Sequence, residues 1–352
     1  MNIKIKRRKN KKSILIFSFF VLLIASISVL FIFFRGDNSY DNDYIDDWAI
    51  SNYGQVINKS KGKSGVDINI KDIWKTNFST NKVVVAVVDS GLEYSCESLK
   101  DKVLMNINDP IDGADNDLNG FIDDYWGWNF YDENNSLFED SLYDYHGTYI
   151  ATTVVKIAPN AQILPVKFLN ATSGTVEDAL LALEYAVRRG AKVVNCSWNF
   201  NDKNDALLAF IKNNPEVLFV CAAGNSNINL DIESIYPCSY NLDNIINVMA
   251  IDNKGLPYQA SGYGKNCVDI ASPGVDVKVT FPENESTFVN GTSVATAFVS
   301  ATAALILSND SNLSPKSIKE IIIANATKTQ ELSSFCKSGG YLNVKACLDS
   351  IK

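Results

Sequence analysis

Residues 82–91 read KVVVAVVDSG. A run of valines broken by one alanine suits a strand buried on both faces of a parallel sheet. Asp89 closes the run. A carboxylate is tolerated there where the strand emerges at the carboxyl edge of the sheet, the edge at which such sheets bind ligands; the alternative is an ordinary turn aspartate. Four further β-rich apolar runs follow: QILPVKF (162–168), AKVVNCS (191–197), EVLFVCAA (216–223) and NIINVMA (244–250). Between the first two of these lies TVEDALLALEYAVRRG (175–190), whose Val176, Leu180, Leu183 and Val187 share one helical face, with acids early, arginines late and Gly190 as terminator. Strands alternating with helices predict an α/β fold with a mostly parallel sheet covered on both sides. A dinucleotide-binding enzyme would share this pattern, but VVDSGLEYS lacks the G-x-G-x-x-G turn.

Two later helices are legible. SVATAFVSATAALILS (293–308) is small and apolar all round, which predicts burial. SPKSIKEIIIANA (314–326) opens with Ser314 as cap and Pro315 in the first turn.

The N-terminus differs in kind. Lys4, Lys6, Arg7, Arg8, Lys9, Lys11 and Lys12 precede an uncharged apolar run over residues 14–34. At about 1.5 Å per residue that run reaches about 30 Å, enough to cross a bilayer as a helix. It is longer than a cleavable signal's apolar core and no A-x-A site follows, so an uncleaved signal anchor is expected. The basic flank stays in the cytoplasm, which makes the remainder extracytoplasmic. Segments 1–12 (basic, cytoplasmic), 13–35 (transmembrane anchor), 36–45 (acidic stalk) and 46–352 (globular domain) are expected. Beyond residue 35 the chain carries 24 bases against 40 acids, about −16, which makes nucleic acid an unsuitable partner. Seven cysteines in an exported chain allow up to three disulfides. Cys196 and Cys221 lie in apolar strands and read as buried small hydrophobes, whereas Cys238, Cys267, Cys336 and Cys347 are better candidates for bridges.

Three side chains could form a nucleophilic triad with the acid orienting an imidazole that takes the serine proton. His146 is the only histidine in the chain and precedes Gly147 and Thr148 at the start of a helix-like run. Ser293 lies in NGTSVATA (290–297) and opens a helix, whose N-terminus favours a developing oxyanion. Asn225, in CAAGNSN (221–227), could aim an amide donor into the same cleft. Taken singly, each has an ordinary explanation: a satisfied core or surface histidine, a serine N-cap, a turn asparagine. The stretch DGADNDLNGFIDDYWGWNF (112–130) places Asp115, Asp117, Asn119 and Gly120 like the first half of a calcium loop, with Asp124 available to close it. A solvated acidic turn is the alternative.

VVDSG, HGT, AAGN and NGTSVATA, in that order, resemble the subtilase family of serine peptidases. The resemblance runs from DDWAISNYGQ (46–55) to GGYLN (339–343) and includes IAPNAQILPVKFLN (157–170), YPCSYNLDNIINV (236–248) and ASPGVDV (271–277). It implies a subtilisin-like three-layer fold and peptide-bond hydrolysis. Asp89, His146 and Ser293 match the triad, Asn225 the oxyanion asparagine. A peptide or protein substrate is implied as an added strand beside residues 195–199, with Ser197, Trp198 and Asn199 on one wall of the specificity pocket and Ala223 and Gly224 on the other. Structural Ca²⁺ through Asp115, Asp117, Asn119 and Asp124 fits the family's habit, and no catalytic cofactor is implied. Cys238 and Cys267 align with segments that approach each other, so a disulfide is expected there. Only about ten residues separate Arg35 from the start of the match, so no folding pro-domain is expected. Asn199 departs from the family's glycine and implies a narrower pocket. Tyr149, Thr152 and Ala297 replace the family's histidine, glycine and proline beside the triad. The reading is a membrane-anchored serine endopeptidase, against a catalytically silent subtilase fold used as a binding module.

Overall fold

The computed structural model describes residues 47–71, 73–75, 81–139, 144–170 and 173–352, which fall in one compact unit, Tyr44–Lys352. The expected cytoplasmic segment, anchor and stalk lie outside these residues. Nine strands form the main sheet: β1 (Val83–Asp89), β2 (Trp128–Asn129), β3 (Ala161–Lys167), β4 (Val193–Cys196), β5 (Leu218–Ala222), β6 (Ile245–Ile251), β7 (Ile270–Pro273), β8 (Thr327–Lys328) and β9 (Gly340–Tyr341). Their spatial order is β8-β9-β7-β6-β5-β4-β1-β3-β2, and every pairing is parallel except β8 with β9. The five runs read from the sequence are β1, β3, β4, β5 and β6. The others are too short, or too mixed with proline and glycine, to carry a periodic signal.

Helices α1 (Tyr145–Ile157), α2 (Val176–Arg188), α3 (Asp205–Asn213), α4 (Thr292–Asn309), α5 (Pro315–Ala324) and α6 (Val344–Asp349) complete the unit. Helix α1 packs against α4, and α2 against α3. Strand β1 lies between β3 and β4, and the chain leaves it toward β2 and β3 before crossing back over it to β4. The carboxyl end of β1, where Asp89 stands, therefore adjoins the point at which the chain reverses its direction along the sheet.

Local chemistry accounts for the helix ends. The Thr175 side chain accepts from Asp178 N at the start of α2, and Gly190, at φ 86°, follows its end. Ser314 caps α5 by accepting from Ser317 N, with Pro315 in the first turn. Helix α4 is buried along nearly its whole length and packs against α1 and the sheet. Among the described residues it is the one helix long and apolar enough to cross a membrane, and with 94% of that stretch enclosed by the domain it is a core helix.

Candidate active site

The ends of β1 and α1 are fastened together by the residues that the sequence singles out. His146 Nδ1 lies 2.7 Å from Asp89 Oδ1, which also accepts from Ser90 N at 2.7 Å. Gly147 makes the approach possible, because a Cβ there would stand 2.0 Å from Gly91 O. Gly147 N donates to Ser90 Oγ, and Glu93 N donates to Thr148 Oγ1. The DSG and HGT motifs are thus two halves of one joint. Asp89 is buried while the imidazole is about one quarter exposed, so the carboxylate holds one ring nitrogen and leaves the other facing the cleft. Beneath this joint Lys167 Nζ reaches both oxygens of Asp144, at 3.0 and 3.1 Å, with both side chains buried.

A second joint orients Asn225 against α4. Thr292 N and Thr292 Oγ1 both donate to Asn225 Oδ1, at 2.9 and 3.2 Å. The amide oxygen is thereby engaged and Nδ2 is the group left to donate. Gly291, at φ 151°, a backbone conformation that side-chain-bearing residues rarely adopt, lets the chain turn into α4 beside that amide. Ser293 follows in the first turn. Its Oγ donates to Ser197 O at 3.4 Å; among the described residues it makes no bond to His146. Ser197 Oγ donates to Ser293 O at 3.1 Å and accepts from Asn195 Nδ2, and Asn195 Oδ1 accepts from Ser300. This chain ties the end of β4 to α4.

The two expected pocket walls stand side by side. Trp198 Nε1 donates to Val88 O, which anchors the first wall to β1. Asn199 Nδ2 crosses to Ala222 O at 2.8 Å, so its side chain bridges the walls. Ala223 N pairs with Val248 O, and Gly224 has φ 83°. A Cβ at Gly224 would stand 2.9 Å from Ile235 Cδ1 and 3.3 Å from Asn199 Oδ1. Ile235 is a member of this site that sequence reading missed, because nothing local distinguishes it from any other apolar loop residue.

The acidic loop differs from expectation. Asp115 and Asp117 converge with Asp109, each offering a carboxylate oxygen within 4.8 Å of the others. Asp124 lies outside this group of three; it is buried and accepts from Tyr185 Oη, Arg189 Nη1 and Asn119 Nδ2. The Asn119 backbone N–H donates to Asp115 and Asp117, and its Oδ1 accepts from Phe121 N. Asp109 lies outside the alternating spacing, which hid it. Three hard carboxylate oxygens at this separation suit a calcium ion.

The expected Cys238–Cys267 disulfide is absent; all seven thiols are free and buried. Cys238 Sγ donates to Ala222 O at 3.0 Å, while Cys267 Sγ points to the backbone oxygen of Cys238. Each sulfur is satisfied away from the other. Cys336 and Cys347 are likewise unbridged, Cys336 contacting Ser338 Oγ.

The Subtilase family model (peptidase S8) matches residues 80–339. Subtilisin DY of Bacillus licheniformis is 33% identical over 214 residues, covering 57% of this chain and 76% of that protein. Subtilisin-like protease 1 of Plasmodium falciparum (isolate 3D7) is 26% identical over 321 residues, 81% of this chain and 46% of that protein, so the chain spans about half the length of that relative. Among solved structures, a cold adapted subtilisin-like serine proteinase superposes with a TM-score of 0.63 at 21% identity, covering 84% of this chain and 96% of that one. The A-subunit of the AB5 toxin from E. coli gives 0.64 at 22%, covering 78% and 93%. At such identity the two structures speak for the fold, an α/β sheet flanked by helices. With the family match spanning both fastened joints and the segment between them, the chain belongs to the subtilase family.

Proposed function

We propose that the chain is a membrane-anchored, extracytoplasmic serine endopeptidase. Ser293 Oγ attacks the peptide carbonyl while His146 takes its proton, and His146 then returns that proton to the leaving amine. Asp89 fixes the tautomer and stabilises the imidazolium. The acyl-enzyme is hydrolysed by the same steps with water as nucleophile. Asn225 Nδ2 and a backbone N–H at the start of α4 hold the oxyanion. The observation that carries this reading is the 2.7 Å Asp89–His146 contact, combined with an Asn225 amide whose oxygen is occupied by Thr292 and whose nitrogen remains to donate. A preorganised donor of this kind is worth roughly 10²–10³ in kcat.

The substrate lies as an added strand along residues 195–199, with Ser197, Trp198 and Asn199 facing Ala223 and Gly224 across the pocket. Asn199 and Ile235 fill the space above Gly224, so the residue before the scissile bond is glycine, alanine or serine. Asp109, Asp115 and Asp117 hold a calcium ion whose role is structural. The apolar run over 14–34, behind its basic flank, supports attachment to the membrane.

The test is covalent labelling of the folded protein with a fluorophosphonate. Wild type labels and Ser293→Ala does not. A folded wild type that never labels favours the catalytically silent reading, for which the Ser293 hydroxyl turned away from His146 is the supporting observation.

A further inference from the structure

His146 is held to Asp89 at one point. Its Nδ1 lies 2.7 Å from Asp89 Oδ1, while Asp89 Oδ2 is buried and meets no hydrogen-bond partner among the described residues. One contact fixes a distance but leaves the ring free to twist about it, and the last side-chain torsion of a histidine is broad rather than confined to a narrow well. A second support has to set the ring plane.

Helix α1 itself supplies that support. Tyr149 stands three residues after His146, so the two side chains share a face. Its buried ring meets the partly open imidazole edge-on, with centroids 4.9 Å apart at 69°, a favoured aromatic geometry. Tyr149 is backed in turn by Phe281, stacked on it at 5.7 Å and 7°, and Tyr145 stacks on the same phenylalanine at 5.0 Å and 21°. The segment that carries Phe281 is fastened to both halves of the Asp89–His146 joint. Thr152 Oγ1 lies 3.1 Å from Thr280 O, which ties the segment to α1, and Glu283 N donates to Glu93 Oε2 at 2.7 Å, which ties it to the residues following Asp89. Two departures from the family's pattern, Tyr149 and Thr152, thus belong to one packed unit beside the imidazole.

We infer that the Tyr149 ring, backed by Phe281, is a positioning group that sets the plane of the His146 imidazole and so aims its free nitrogen at the cleft. The inference rests on the proposed role of His146 as general base. The phenol oxygen takes no part in it.

The test uses the full-length protein made without a histidine tag and with isotope-labelled histidine, so that NMR reads a single imidazole. Phe281→Ala and Tyr149→Ala are expected to broaden or split the ring signals and to slow fluorophosphonate labelling about ten- to hundredfold, the order of loss that about 1 Å of misplacement causes at a reacting group. Peptide hydrolysis should lose kcat with KM unchanged. Tyr149→Phe, which returns the ring without the hydroxyl, rescues both readouts. If an alanine variant folds poorly, Phe281→Leu or Tyr149→Leu keeps the volume without the ring and must show the same broadening. A merely structural role would lower the melting temperature and leave the imidazole signals single and sharp. A folded alanine variant with wild-type ring signals or a wild-type labelling rate overturns the inference while leaving the proposed base intact, and so does a Tyr149→Phe protein as slow as Tyr149→Ala. A folded wild type that never labels ends the hydrolase reading; the ring signals then decide the inference alone, and it falls if they stay single and sharp in the alanine variants.

Discussion

Asn199 and Ile235 meet over Gly224, where a Cβ would find Ile235 Cδ1 at 2.9 Å. The Asn199 amide is held there by Ala222 O, so an incoming side chain would have to break a partly buried hydrogen bond as well as displace volume. Opening the pocket should relax this selection. Asn199→Gly combined with Ile235→Gly is expected to admit aromatic residues before the scissile bond, at least tenfold over wild type in kcat/KM, since one or two lost side-chain contacts are worth roughly 1–3 kcal/mol. A peptide library varied at that position reads the result, and wild type cleaving freely after phenylalanine would contradict the closed pocket. Asn199 was legible as a departure from glycine. Ile235 was not, because its contact comes from a loop 36 positions away in the chain.

At the scale of elements, the carboxyl end of β3 and the entry to α1 are joined through the Lys167–Asp144 pair. Both charges are buried, and although Glu139 N also donates to Asp144 Oδ2, the desolvation of each is offset chiefly by the other. Removing one partner leaves an uncompensated charge beneath the Asp89–His146 joint. Asp144→Ala is expected to lose about 3–5 kcal/mol of stability. Asp144→Leu together with Lys167→Met should recover most of that loss. Denaturant melts of the three proteins decide it, and an Asp144→Ala protein as stable as wild type would show that the pair is idle. Element identity itself was accessible from pattern: β1, α2, α4 and α5 follow from valine runs, caps and burial periodicity.

Across the whole molecule, stability rests on the packed core without disulfides. Reductant should leave the melting temperature unchanged, and Ellman titration of the native protein should be silent until denaturant exposes seven thiols. Burial pushes Cys347 up from its ordinary 9.0 to about 12 and, with the Glu93 charge as a lesser cause, Cys96 to about 11. These groups hold their protons to higher pH when folded than when unfolded. Their contribution is therefore whole below about 9 and is lost as pH rises toward 11 to 12. Calcium should act in the other direction. At a free concentration of 100 Kd it adds about 2.7 kcal/mol, and Asp115→Asn with Asp117→Asn should abolish the rise in melting temperature; a calcium-blind wild type would remove the site. Taken alone, the sequence determined five of the nine sheet strands, helices α2, α4 and α5, and the four motifs, because these depend on periodicity and on residue types a few positions apart. Tertiary structure decided that Asp124 is held by Arg189 and Tyr185, that Asp109 joins Asp115, and that the thiols stay apart. In each case the deciding quantity is a distance between side chains set by how loops, helices and sheet pack, and no local pattern encodes it.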